Sequence, residues 1–329
     1  MSRKRESSGE DKLIERFFKP LAQHPGALSL SDDAAYLIPP PGHDLVLTTD
    51  MTVAGVHFLA GDPPDTIAQK ALRVNLSDLA AKGAESIGAL LAISFAKDIG
   101  EQWIEEFCNG LGRDCRSFAC PLLGGDTTKT PGPLSIAITA IGKVPSGKMV
   151  KRAGAKPGDV VVVSGTIGDA ALGLLASEGD PKLNEHPEVG DLISRYRVPL
   201  PRMALAPLLR GYANAAMDVS DGLVGDLGKL AAVSGVGAKI DTAKLPLSVP
   251  AYDAIHLAPG YLTAVLTGGD DYEVLAAIPE ALYAAFAEAA GKAGVPVTAI
   301  GMFEAGEGVA VLDANGKELS FEKASYSHF

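Results

Sequence analysis

Cysteine is scarce in this 329-residue chain: three residues, Cys108, Cys115 and Cys120, with no C-x-x-C spacing. So few, and odd in number, they exclude a disulfide framework and a thiolate zinc site, and read as reduced, partly buried thiols of a cytoplasmic protein. Basic charge is also short. Lys and Arg total 29 against 40 Asp and Glu, for a net charge of -11 and a pI near 5.0, which disfavours nucleic-acid and anionic membrane surfaces. No apolar run approaches the ~20 residues of a membrane span. Met1 to Asp11 is charged and lacks the apolar core of a signal peptide, so it reads as a disordered lead. What remains is a globular composition, 47% hydrophobic and 21% charged, long enough for two domains with separate cores. The acidic surplus is a problem for any phosphate ligand, and bound cations are the remedy.

Pattern and punctuation give the elements. Lys12 to Phe18 reads as a short helix. Cys120 to Leu123 reads as a strand ending in Gly124-Gly125-Asp126, and Tyr36 to Ile38 and Leu45 to Thr49 as strands around a Pro-Gly turn. Asp65 to Lys82 reads as a helix stopped by Gly83. Its apolar residues fall on two faces, and Asp78 shares a stripe with Ile67, Ala71 and Val74, where a carboxylate needs a partner. Further on, the pattern predicts strand Ala89–Phe95, helix 101–118 and strand Leu134–Val144, then a Gly/Pro-rich boundary over 145–158. Strand Val160–Ser164 and helix Asp169–Ser177 follow, then an irregular segment to Gly190 and helix Arg202–Leu209. The remainder reads as strand Ala215–Val219, helix Leu223–Ser234, strands Thr263–Thr267 and Tyr272–Ile278, helix Glu280–Gly294 and strand Val297–Phe303. The fold class is α/β (α+β): two domains, 1–148 and 149–329, each a mixed sheet covered by helices.

Two segments imitate nucleotide loops. Gly142 to Met149 nearly spells a P-loop, but Met149 stands where a Mg²⁺-binding hydroxyl belongs, and Gly165-Thr166-Ile167-Gly168 lacks dinucleotide spacing. Both read as connecting loops. The sharper signal is a repeated theme of small hydroxyl residues and aspartates at the ends of apolar segments. It comprises Ser31-Asp32-Asp33, Thr48-Thr49-Asp50, Asn75-Leu76-Ser77-Asp78, Gly124-Gly125-Asp126-Thr127-Thr128, Asp218-Val219-Ser220-Asp221 and Gly268-Gly269-Asp270-Asp271. Singly each is a turn or a helix cap, as His57 singly is a structural histidine, Arg152 a surface charge and Tyr326 a packing aromatic. Jointly, so many aspartates against apolar segments call for divalent cations with hard oxygen ligands.

These motifs resemble thiamine-monophosphate kinase, of the superfamily shared with aminoimidazole-ribotide synthetase and selenophosphate synthetase. Ala54-Gly55-Val56-His57-Phe58 and the closing Tyr326-Ser327-His328-Phe329 narrow the resemblance to the kinase, and it runs from about Lys12 to the end. It implies an aminoimidazole-ribotide synthetase-like fold, a homodimer paired through the first domains, and transfer of the γ-phosphoryl of ATP to thiamine monophosphate. It also implies that the second domain completes the ATP and substrate site. Asp33, Thr48, Thr49, Asp50, Asp78, Asp126, Asp218 and Asp221 become the Mg²⁺ set. Gly125, Asp126, Arg152 and Ser220 would contact ATP; His57, Asp270 and Tyr326 the thiamine substrate; Asp126, Asp50 and Arg152 carry the catalysis. Two departures stand out. Ser31 replaces the usual glycine, and Asp270 stands where a glutamate is common, one methylene shorter.

The residue chemistry agrees with that implication. A phosphate nucleophile already ionised at neutral pH leaves the protein the tasks of alignment and neutralisation. Arg152 offers a forked donor for the ATP phosphates, and Tyr326 an aromatic face for the thiazolium cation. The rival readings are a superfamily relative activating another substrate with ATP, and a non-catalytic acidic cation-binding protein. Selenophosphate synthetase is disfavoured because the first cysteine is Cys108.

Overall fold

The computed structural model describes residues 9–326. Met1 to Ser8 of the expected lead, and the Ser327-His328-Phe329 close, lie outside them. Gly9 to Asp11 are helical, not disordered. The elements run α1 (Gly9–Leu13), β1 (His43–Val53), α2 (Pro64–Ala81), β2 (Glu85–Phe95), α3 (Glu101–Ser117), β3 (Leu122–Lys129), β4 (Ser135–Pro145) and β5 (Asp159–Ser164). Then come α4 (Asp169–Ser177), α5 (Pro181–Asn184), α6 (Val189–Arg197), α7 (Ala206–Tyr212), β6 (Ala215–Asp218), α8 (Leu223–Ser234) and β7 (Gly237–Asp241). The chain ends with α9 (Val249–Leu257), α10 (Tyr261–Thr267), β8 (Val274–Pro279), α11 (Glu280–Lys292), β9 (Val297–Glu304), β10 (Val309–Leu312) and β11 (Glu318–Leu319). Two compact units form: Met1–Asn75 with Ser86–Lys143, and Leu76–Glu85 with Val144–Phe329. α2 therefore contributes its first part to one unit and its last turns, with Asp78, to the other.

The first unit holds a four-stranded sheet in the order β1-β4-β2-β3. β2 and β3 run parallel, with a register shift between Ala89 and Leu90 that skips Leu123, just before the glycine pair. The second unit holds a seven-stranded sheet, β11-β10-β7-β9-β5-β8-β6. Its central strands are apolar without interruption because both faces are covered. In β5, Val161 and Val163 join one core with Leu172, Leu227 and Val265 of α4, α8 and α10, whereas Val160 and Val162 join another with Leu209 of α7 and Phe286 of α11. One strand thus serves two cores through its period of two.

Several expectations are corrected. Leu122 to Lys129 is a continuous strand, so the glycine-aspartate motif lies within it instead of ending it. Tyr36 to Ile38 belongs to no strand, and Tyr36 N–H donates instead to Gly26 O at 3.0 Å. Asp65 sits inside the first turn of α2, which Pro64 opens. Thr263 to Thr267 is the end of helix α10, because its β-branched run packs Val265 and Leu266 against the core on one side only. The supposedly irregular stretch to Gly190 contains α5 and the start of α6, capped where Asp180 accepts from Lys182 and Leu183 N–H.

Candidate functional site

In the first unit two of the motifs line a cavity of about 660 Å³, and Thr48, Thr49, Asp50 and His57 are not among its lining residues. Asp32, Asp33, Gly125, Asp126 and Thr127 line it, backed by Leu90, Leu91 and Leu123. Gly125 is at φ +156°, and a Cβ there would stand 1.7 Å from the carbonyl oxygen of Leu91. Only glycine lets β3 pass this close to β2, and that passage sets Asp126 beside the cavity. Glu10 also lines the cavity and accepts from Thr127 Oγ at 2.9 Å. Sequence reasoning missed it, since nothing in a charged lead distinguishes one glutamate from its neighbours.

β1 divides its motif. Thr48 and Asp50 are half-buried on one face, while Thr49 shares the exposed face with Leu45, Leu47 and Met51. The Thr49 hydroxyl is engaged by Ile138 O at 3.2 Å and by Thr139 at 3.0 Å. The structure therefore does not bring the Thr48 and Thr49 side chains onto one face. Val53 N–H donates to His57 Nδ1 at 3.1 Å, tying the ring to its own turn.

In the second unit Asp78 and Asp218 are electrostatic neighbours. Burial first, and then the Asp78 carboxylate, hold Asp218 well above the usual carboxylate range. Lys82, one turn beyond Asp78, donates to Ala216 O at 2.8 Å. Its pKa is lowered, chiefly by burial, against the raising influence of Asp218. Arg152 is exposed and also acts on Lys82. Carboxylate oxygens are the hard donors that Mg²⁺ takes, and Asp78 and Asp218 are two of them. Among the described residues no three His, Cys, Asp or Glu side chains form a ready-made metal cluster.

Asp221 is held otherwise. Its carboxylate pairs with Lys229, which also reaches Asp226 at 2.8 Å. Asp226 in turn accepts the Ser220 and Asp221 N–H groups at 2.9 Å each, fixing the turn into α8. Backbone hydrogen bonds from Asp270 N–H to Ser220 O (2.8 Å) and from Tyr326 N–H to Asp221 O (2.9 Å) gather four expected site residues into one strip. Gly269 makes this possible, since a Cβ there would lie 2.3 Å from Ser220 O. Asp226, Lys229 and Lys82 were not foreseen; a lysine three residues after an aspartate was the available signal for the first two.

Asp271 and Glu273 are buried, at 2% and 0% exposure. Burial first, then Asp169 among the charges, pushes Asp271 well up, against the pull of Gly168 N–H. The two imitation loops are connections: residues 142–149 finish β4 and turn, and 165–168 lead into α4.

Comparison with known proteins follows the same division. Residues 31–144 match the family of AIR synthase related protein, N-terminal domain, and residues 156–313 its C-terminal domain. The thiamine-monophosphate kinase of Caulobacter vibrioides is 44% identical over 96% of this chain and 89% of its own length. That of Escherichia coli K12 is 40% identical over 98% of both. Among solved structures, the thiamine-monophosphate kinase of Stenotrophomonas maltophilia K279a superposes with TM-score 0.80 at 39% identity, over 88% of this chain and 91% of that one. AaThiL complexed with AMPPCP and TMP superposes with TM-score 0.77 at 34% identity, over 91% of each chain. Hydrogenase maturation protein HypE, at 19% identity and TM-score 0.79, shares the fold alone. Matched by these relatives over 96–98% of its length, and by both domain models, the chain belongs to the thiamine-monophosphate kinase family of AIR synthase related proteins.

Proposed function

We propose that the protein phosphorylates thiamine monophosphate to thiamine diphosphate at the expense of ATP. The observation that carries this reading is the 44% identity to a thiamine-monophosphate kinase over 96% of the chain. A phosphate oxygen of the monophosphate attacks the γ-phosphorus, the β–γ bridging bond breaks, and ADP leaves. Mg²⁺, when bound, neutralises the phosphate oxygens around that exchange.

The chain's own residues hold and align. Asp33, Thr48, Thr49, Asp50, Asp78, Asp126, Asp218 and Asp221 supply the magnesium ligands; for this Thr49 has to leave Ile138 O and Thr139, and Asp221 has to leave Lys229. Gly125 offers its backbone to the nucleotide, Ser220 a polar contact and Arg152 a planar fork for the phosphates. His57 and Asp270 orient the thiamine moiety, and Tyr326, half exposed, offers its ring to the thiazolium cation. Asp126, Asp50 and Arg152 carry the alignment on which the rate depends.

We further assign a homodimer in the cytoplasm. Leu45, Leu47 and Met51 of β1, with Leu90 of β2, present an apolar surface of the first unit, and a second copy of the chain would cover it. Among the described residues no helix is long and apolar enough to cross a membrane. The three cysteines are unpaired and buried, as in a reducing compartment.

An ADP-release assay with thiamine monophosphate, free thiamine and aminoimidazole precursors compared side by side tests the reading. Release with the monophosphate and hardly any with free thiamine is expected. Equal turnover of free thiamine would refute the acceptor, and magnesium binding without turnover would leave a cation-binding protein.

A further inference from the structure

The segment Gly268 to Glu273 holds a backbone its residues do not favour. Gly269, Asp270 and Tyr272 lie at φ +78°, +65° and +51°. For an aspartate, and more so for a tyrosine, this left-handed region is uncommon and persists only where the surroundings over-determine it. Part of the restraint is backbone: Asp270 N–H to Ser220 O, Tyr272 N–H to Val219 O and Val219 N–H to Glu273 O, each 2.8 Å.

The rest comes from two buried carboxylates to which the proposed chemistry gives no part. Glu273 accepts from Ser164 Oγ at 2.6 Å, Arg202 Nε at 2.6 Å, Arg202 Nη2 at 2.5 Å and Arg195 Nη2 at 2.8 Å. Ser164 Oγ in turn accepts from Val274 N–H at 2.8 Å, locking the first residue of β8. Asp271 accepts from Gly168 N–H at 2.8 Å and Ala170 N–H at 3.4 Å, and its carbonyl from Arg195 Nη2 at 3.5 Å. Two arginines on one fully buried carboxylate are a poor device for stability, because apolar residues of similar volume usually serve as well. They are a good device for fixing geometry, since a forked guanidinium defines direction as well as distance.

We propose that Glu273, with Asp271, is a positioning residue that clamps the 268–273 segment so that Asp270 meets the substrate in one orientation. The clamp touches no substrate. It removes the freedom of the backbone that carries Asp270. The inference rests on the proposed substrate role of Asp270.

The test uses the full chain and three variants, Glu273→Gln, Ser164→Ala and Asp270→Asn. Each is measured for KM and kcat with thiamine monophosphate, KM for ATP, and amide hydrogen exchange over 268–273. Glu273→Gln is expected to raise KM for thiamine monophosphate about tenfold, the scale of one lost charge-assisted hydrogen bond, with KM for ATP within about twofold. Exchange should accelerate at the Asp270 and Tyr272 amides and not in β5. Ser164→Ala leaves both arginines on Glu273, so it should fold even if Glu273→Gln does not, and show the same pattern more weakly. A fall in stability alone, with KM and local exchange unchanged in Ser164→Ala and in any folded Glu273→Gln, would overturn the clamp. If Asp270→Asn leaves KM unchanged, the substrate role of Asp270 fails instead. If Asp270→Asn raises KM and the other two variants do not, the substrate role stands and the clamp falls.

Discussion

Lys82 Nζ lies 2.8 Å from the carbonyl oxygen of Ala216, one helical turn after Asp78 and two residues before Asp218. A protein ammonium is thereby placed against two crowded carboxylates. Lys82→Met removes that cation while keeping the volume of the stem. Without divalent ions the variant should lose about 1–3 kcal/mol, since Ala216 O loses a charged donor and Asp78 a neighbouring cation, against the relief of a burial that lowers the Lys82 pKa. Added Mg²⁺ should recover part of the loss. Thermal melts with EDTA and with Mg²⁺ measure both; equal losses in the two would make Lys82 only a tie between helix and strand.

Asp78→Asn should behave in the opposite sense. It relieves the repulsion that raises Asp218, so the metal-free fold should be at least as stable as the parent. The Mg²⁺ concentration for half-maximal activity should rise, because a charged oxygen ligand is gone. An unstable variant with ordinary Mg²⁺ dependence would return Asp78 to a structural role.

The contrast between what pattern disclosed and what it hid is physical. α2 was legible because its apolar residues occupy two faces, and the structure buries both, from Ile67 to Ala81. β5 was legible because four consecutive valines bounded by Asp and Ser suit a strand covered on both sides. α10 was not, since Thr263 and Val265 favour strands locally and only tertiary contact with α4 and α8 decides for helix. The aspartate motifs announced themselves by repetition, but Asp226 and Glu273 did not. Their meaning lies in partners six residues before and about a hundred residues away, Ser220 and Ser164.

Gly125→Ala should be among the most damaging single-methyl additions in the chain. The new Cβ would collide with the Leu91 carbonyl at 1.7 Å, and backbone cannot step aside as a side-chain tip can. A loss of several kcal/mol is expected, from overpacking and a disfavoured φ together. Denaturant unfolding measures it. A loss below about 1 kcal/mol would mean that β2 and β3 can separate locally without cost.

The three thiols should be chemically silent in the native protein. Burial raises Cys108 and Cys120 to about 12 and Cys115 to about 11, from an ordinary 9.0. A raised pKa in the fold means the unfolded chain loses its proton first, so this contribution to stability is complete below about 9 and is lost as pH rises towards 11–12. A thiol reagent at pH 8 should find no reactive cysteine until denaturant is added, and then all three. Stability should fall between pH 9 and 11, beyond what a variant with all three replaced by alanine shows.

The last prediction concerns the absence of a protein general base. The second pKa of a phosphate monoester lies near ~6, so at neutral pH the acceptor is mostly dianionic unaided. His57 is the one imidazole among the described residues of the site motifs, and its Nδ1 already accepts from Val53 N–H, a bond that holds the ring to its turn. kcat at saturating Mg²⁺ should therefore rise with acceptor ionisation and stay level above neutrality. His57→Asn should chiefly raise KM for thiamine monophosphate and spare most of kcat, the signature of lost uniform binding. Asp126→Asn should depress kcat by about 10²-fold or more, because it removes charge where the phosphates must be neutralised. The pH profiles of the two variants are the measurement. A kcat loss of about 10²-fold at His57, with the pH dependence abolished, would identify His57 as the base and refute alignment without proton abstraction.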